Sequence, residues 1–182
     1  MNYYLEYHGI MGKKNYLIEG VSGSGKTTVA TELQLRGYHV IHGDRELVYR
    51  GDPETGVPVI PDTDTPTALW MSEHQIWDVE KVKAHIANQS EEVTFFCGSA
   101  RNYPKFIKLL DGVFILEVDQ DTMNRRINER VAVDPTDFGG TLEERELIAR
   151  LYQTKEDIPS DGVFIDATAP LTVVVDEILH LS

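Results

Sequence analysis

Gly20-Val21-Ser22-Gly23-Ser24-Gly25-Lys26-Thr27-Thr28 decides the reading of this chain. The stretch satisfies G-x-x-x-x-G-K-[ST]. It has an apolar run, Tyr16-Leu17-Ile18, before it and a helix-forming run, Val29 to Arg36, after it, the strand, loop and helix context that a phosphate-binding loop needs. Successive backbone N–H groups converge on a phosphate only where a tight turn carries no Cβ, which explains Gly20, Gly23 and Gly25. Ser22 and Ser24 stand between them, and the helix that follows offers its N-terminus to the anion. Lys26 is expected to reach the β- and γ-phosphates of a nucleotide as a mobile point charge, and the Thr27 hydroxyl to ligate the Mg²⁺ that bridges them. Thr28 completes the set and chiefly serves the helix. The bland alternative, a glycine-rich turn that binds nothing, leaves the lysine and threonine in register unexplained.

The chain has 182 residues, the length of one domain that can bury about two-thirds of its unfolded surface. Thirty acids against 17 bases give a formal charge of −13, which argues against nucleic acid or an anionic membrane as the main partner. The phosphate loop is therefore a local positive device in a negative molecule. The single cysteine, Cys97, excludes an internal disulfide framework and suits a reducing cytoplasm. No apolar run approaches membrane-spanning length, and the aromatic, polar N-terminus does not read as a signal peptide. Residues 1–13 are read as a loosely ordered leader, with Met11 an alternative start, and residues 14–182 as the single domain.

Short β-branched or aromatic runs alternate with helical patterns, the signature of a parallel α/β sheet. Strands are expected at 15–19, 38–42, 93–97, 113–118 and 162–166. Helices are expected at 25–36, stopped by Gly37, then from the capping-box spacing Ser72-Glu73-His74-Gln75 through Ile76, Val79, Val82 and Ile86. Further helices are expected at 104–110, after Asp119 or Asp121, after the second capping box Thr141-Leu142-Glu143-Glu144, and from Pro170. The Pro-rich stretch from Gly51 to Pro66 reads as an irregular functional loop, within an acceptor-side segment 43–69. The glycine-containing break over 131–141 reads as a lid. Together these give a three-layer fold, a five-stranded parallel sheet with helices on both faces.

On these residues the chain resembles the P-loop small-molecule and nucleotide kinases: adenylate kinase, shikimate kinase and gluconate kinase. The likeness rests on GVSGSGKTT, on Asp44 after the second strand, on Arg126 and Arg130 ahead of the short lid, and on Ile165-Asp166-Ala167-Thr168 before the last helix. The segment Phe96-Cys97-Gly98-Ser99-Ala100-Arg101 looks like the strand-end serine segment of gluconate kinases. As a whole the chain looks most like bacterial nucleoside-kinase-like ATP-binding proteins. The resemblance implies ATP and Mg²⁺, with Arg130 packing on the adenine and Arg126, or another lid arginine, stabilising charge on the transferred group. It implies Thr168 to Pro170 as the lining of the adenine pocket. One departure is plain: the third strand ends without an acid, and Asp44 is expected to cover both its tasks, holding a magnesium water and accepting a proton.

Each candidate has a bland counterpart. Asp44 could be a turn or N-cap aspartate. Arg45 and Arg50 read first as solvated charges, with Arg45 kept beside Asp44 and Arg101 on the acceptor side. Arg126 and Arg130, one turn apart, could be a salt-bridge pattern with Glu129. Trp70 and Trp77 could stack on a ring, though aromatic residues on helices are more often core. Glu19, before the loop, also occurs in thymidylate-kinase-like and deoxynucleoside-kinase-like sequences. Asp52, Glu54, Asp62 and Asp64 in the long loop suggest an acceptor rich in hydroxyls or amines, since a phosphate there would be repelled unless arginines answered it.

The expected function is transfer of the ATP γ-phosphate to a hydroxyl of a nucleoside or sugar-like molecule, by a monomer or homodimer. The alternatives are a nucleoside monophosphate kinase, a nucleotide-dependent switch or ATPase, and a module that kept the loop but lost catalysis. No N-K-x-D motif, and no D-x-x-G after a strand, supports the switch.

Overall fold

The order of apolar runs becomes a sheet order in the computed structural model, which describes residues 13–182. The leader expected over 1–13 lies, but for its last residue, outside the described residues. Strand β1 (Lys14–Gly20) occupies the centre of a five-stranded parallel sheet. It is flanked by β5 (Val93–Cys97) and β6 (Gly112–Glu117), with β2 (His39–His42) and β7 (Val163–Asp166) at the edges. Register places Ile18 beside Cys97 and Phe114. The three central strands are almost continuously apolar because a parallel sheet with helices around it has no wet face. Leu17, Ile18, Phe95, Phe96, Phe114 and Leu116 are fully buried, each such side chain contributing roughly 1.5–3 kcal/mol. Tyr16 stacks between Phe95 and Phe114 at 5.9 and 5.3 Å.

Helices α1 (Lys26–Leu35), α5 (Gln120–Val133) and α7 (Leu171–Leu181) follow their strands, and α6 (Leu142–Thr154) follows α5, as the sequence pattern requires. Asp119 caps α5, and Thr141 with Glu144 forms the capping box of α6. Gly37 ends the α1 segment with φ 89°. All strand carboxyl ends converge on one rim, where ligands of such sheets bind.

Three expectations fail between the second and fourth strands of the sheet. Ser72–Gln75 does not start a helix. Helix α3 (Ala68–Glu73), capped by Thr67, ends there, and Gln75–Trp77 forms β4, antiparallel to β3 (Val48–Arg50). The helix carrying Val82 and Ile86, α4 (Val79–Ala87), begins later because the Asp78 side chain accepts from the amides of Glu80 and Lys81. A real cap at Asp78 therefore outcompetes the capping-box spacing at Ser72. The 104–110 helix is two short 3₁₀ turns, 103–105 and 107–109. Helix α2 (Gly43–Glu46) and β3 lie inside the segment expected to be loop, and Gly51 bridges to Pro58. Trp77 is fully buried and stacks on Phe106 at 5.5 Å, whereas Trp70 stacks on His74 at 4.3 Å.

Candidate active site

The phosphate loop joins β1 to α1 in the backbone form that its glycines allow. Gly25 has φ 102° and is the N-cap of α1 with no side-chain cap. A side chain would strain that left-handed position, and the uncapped first amides are left for an incoming anion. Lys26 folds back on the loop, its Nζ donating to the carbonyls of Gly20 and, at 3.2 Å, Val21. The ammonium thus sits where phosphates would arrive, held only by neutral oxygens. Thr27 and Thr28 line the same cleft, which encloses about 1110 Å³, room for a nucleotide and a second small molecule together.

Asp44 does not cap its own short helix. Its Oδ1 accepts from the Ser99 amide at 2.9 Å, across to the end of β5, and lies 3.5 Å from Gln75 Nε2. Gly98 makes that approach possible: a Cβ there would stand 2.6 Å from Asp44 Oδ1 and 2.9 Å from Trp77 Cζ2. The carboxylate is open to solvent through the cleft mouth but pressed by protein on its other sides. That enclosure holds its pKa above the usual carboxylate range, with the Lys26 charge the main opposing influence.

β5 ends without an acid, but β1 brings a carboxyl to that place. Glu19, buried, accepts at Oε1 from Ser99 Oγ at 2.6 Å and from its neighbour Gly20 N at 3.0 Å, while Oε2 has no partner among the described residues. Ser99 therefore ties Glu19 and Asp44 together, its hydroxyl to one and its amide to the other. Spacing along the third strand could not reveal this, because the carboxylate comes from the neighbouring strand. Burial pushes Glu19 from 4.5 to about 8, opposed first by Lys26.

A stability consequence follows. Between pH 4.5 and about 8 the unfolded chain has released this proton and the native chain has kept it. Stability therefore falls as pH rises through that window, by at most about 1.4 kcal/mol per pH unit. The contribution is complete below the window and lost above it. Chemical denaturation of wild type and Glu19→Gln from pH 5 to 8 is expected to show the wild type falling more steeply; parallel curves would contradict the buried protonated carboxyl.

The two α5 arginines differ. Arg126 donates to Ser24 O at 2.9 Å and Ala167 O at 2.8 Å, clamping the phosphate loop to the β7–α7 segment. Arg130 reaches the Phe138 carbonyl, lies 3.4 Å from Asp137 Oδ2 and 3.4 Å from Ser22 Oγ, and so joins the α5–α6 loop to the front of the phosphate loop. It is Arg126, not Arg130, that touches the segment after β7, the reverse of the expected allocation. Thr168 and Pro170 do not line the cleft; Ala167 and Ala169 do. The Thr168 hydroxyl is spent on Asp166 at 2.6 Å.

Arg45, Arg50 and Arg101 all line the cleft, and Arg50, half-buried, is not the solvated charge expected. The loop acids are elsewhere. Asp52 Oδ1 accepts from Thr55 N at 2.7 Å, Glu54 pairs with Lys105 at 3.1 Å, and neither Asp62 nor Asp64 lines the cleft. Buried Cys97 lies behind the site with its thiol pushed up by desolvation, a small hydrophobe rather than a nucleophile.

No family model and no curated protein matches the chain. Solved structures do. A gluconokinase from Sinorhizobium meliloti 1021 superposes with TM-score 0.54 and 22% identity over 93% of this chain and 90% of its own. Shikimate kinase from Aquifex aeolicus gives 0.54 and 16% over 92% and 94%. A deoxyadenosine kinase from M. mycoides with bound dATP gives 0.51 and 16% over 92% and 98%. The chain has the α/β fold of the P-loop kinases.

Proposed function

We propose that this chain is an ATP-dependent phosphotransferase that moves the γ-phosphate of Mg-ATP to a hydroxyl of a small molecule, nucleoside-like or sugar-like. The observation that carries the reading is the arrival of Lys26 and Asp44 in one cleft from the ends of β1 and β2, on either side of β5, with Asp44 fixed by the Ser99 amide at the end of β5. A switch needs the loop, the lysine and an acid at its magnesium; a carboxylate that can also take the proton of an acceptor hydroxyl is what a phosphotransferase adds.

The donor set suits magnesium, which takes few protein ligands and keeps water and phosphate oxygens. Thr27 and Asp44 would hold it, with Glu19 a further carboxyl behind Ser99. When bound, Mg²⁺ supplies neutralisation of phosphate charge. Lys26 would leave its two carbonyls for the phosphates, and the loop amides would hold the charge that spreads over the transferred group. Asp44 would take the proton of the acceptor hydroxyl as its oxygen bonds to the γ-phosphorus and the bond to the leaving ADP oxygen breaks. Arg126, beside Ala167, belongs to the adenine side, and Arg130, beside Ser22, to the phosphates. The 131–141 segment would close over both as a lid. A reducing cytoplasm suits the buried thiol, and a monomer or homodimer suffices.

This division of labour predicts different kinetics. Arg130→Ala is expected to lower kcat by about 10²-fold or more with little change in nucleotide affinity, as for loss of a charge felt mainly in the transition state. Arg126→Ala is expected to weaken nucleotide binding instead. Equal effects of both on nucleotide Kd would contradict the assignment. The reading itself is tested by ADP formation from Mg-ATP with nucleosides, sugars and aminocyclitols, each against its no-acceptor rate. Strong stimulation by one class is expected; hydrolysis indifferent to every acceptor would favour a switch.

A further inference from the structure

One end of the cleft is built around two arginines that make no ion pair among the described residues. Arg50, half-buried at the end of β3, donates from Nη1 to Met71 O at 3.0 Å and Gln75 Oε1 at 3.3 Å. Arg101, half-buried past β5, donates from Nε to Ser72 O at 3.2 Å and from Nη2 to Ser72 Oγ at 2.7 Å. Among the described residues neither makes an ion pair, and burial alone lowers the Arg50 pKa. Nε and Nη2 of Arg50 and Nη1 of Arg101 have no protein acceptor among those residues. Both guanidinium groups hang on consecutive residues at the C-terminal end of α3, whose carbonyls favour cations.

A half-buried guanidinium answered only by neutral oxygens keeps its charge and a fork of donors shaped for an oxyanion. The acids nearby do not cancel it. Asp44 is engaged with Ser99, and Glu143 accepts from Ala68 N at 2.9 Å at the far end of α3. Asp157, in the turn after α6, feels the Arg101 charge. It makes no ion pair with it, and burial drives its carboxyl toward the neutral form. Gln75 then connects the arginines to the reacting end. Its Oε1 receives Arg50, its Nε2 donates to Ser99 O at 3.1 Å beside Asp44, and its carbonyl receives the Arg101 amide at 2.9 Å.

We infer that the acceptor carries an oxyanion, a carboxylate or a phosphate, bound by Arg50 and Arg101, at a fixed distance from the group presented to Asp44. This rests on the phosphotransferase reading and names the class of its substrate. It also replaces the expectation drawn from the loop acids, since arginines do answer an anion here and those acids lie outside the cleft.

The test compares matched acids and neutral partners on the protein loaded with Mg-ADP for binding, and with Mg-ATP for turnover. D-Gluconate against D-glucitol forms the carboxylate arm; a nucleoside 3′-monophosphate against its nucleoside forms the phosphate arm, with the 5′-monophosphate beside them. One acid is expected to bind at least about tenfold more tightly than its neutral partner. Arg50→Gln and Arg101→Gln are each expected to erase most of that preference, raising Kd and KM for the acid while leaving the neutral partner and the nucleotide Kd unmoved. Neutral partners bound as tightly as every acid, or variants that weaken acid and neutral partner alike, would overturn the inference. Arginine-dependent binding of an acid without any turnover would keep the anion site and sink the phosphotransferase reading. A 5′-monophosphate as best acceptor would keep the anion site and move the attack from a hydroxyl to a phosphate oxygen.

Discussion

Lys26→Ala is expected to lower phosphoryl transfer by about 10³-fold or more while the protein stays folded. The size follows from the position of the charge. Lys26 is the main cation acting on both Asp44 and Glu19, and no other lysine lines the cleft. Its structural cost is small, because its bonds go to two loop carbonyls on an open face, where water can replace it. Stopped assays for transfer, with thermal denaturation beside them, check both halves. Transfer reduced by less than tenfold, with the fold intact, would mean that the phosphate loop is not the reacting end of the cleft.

The second large effect is expected at Asp44. Asp44→Asn keeps an acceptor for the Ser99 amide but removes the proton acceptor, so kcat should fall by about 10²–10⁴-fold. The pH dependence carries the finer signature. Asp44 works ionised, and enclosure raises its pKa; wild-type kcat/KM should therefore decline with acid on a limb above the ordinary carboxylate range, and that limb should vanish in the variant. A rate loss that leaves the acid limb in place would assign the limb to another group and demote Asp44 to a positioning role.

The parts of this fold that sequence makes legible are those governed by local rules. The phosphate loop, the strand at Val93–Cys97, the capping box at Thr141 and the buried stripe of α7 all depend on neighbours within a few residues. The parts that escape are those where distant segments decide. Gln75–Trp77 is a strand because Val48–Arg50 lies beside it, and helical spacing alone carries no sign of that partner. The same holds in the site. Asp44 and Arg101 stand at strand ends, where the topology says ligands collect. Glu19 reaches the end of a different strand, Arg50 enters the cleft through the β3–β4 ribbon, Asp52 caps its own turn and Glu54 pairs with Lys105. The α5 arginines are legible as a pair one turn apart, yet their division depends on the carbonyls of Ser24 and Ala167, more than a hundred and forty residues apart in the chain.

The measurement that tests the central claim most directly follows the γ-phosphoryl group itself. Wild-type protein is given Mg-ATP labelled at the γ-phosphate together with the acceptor that stimulates ADP formation most, and the products are separated. Label carried on the organic acceptor, in step with ADP and absent with Asp44→Asn, is the expected result. Label recovered only as inorganic phosphate, at the same rate with and without acceptor, would contradict it.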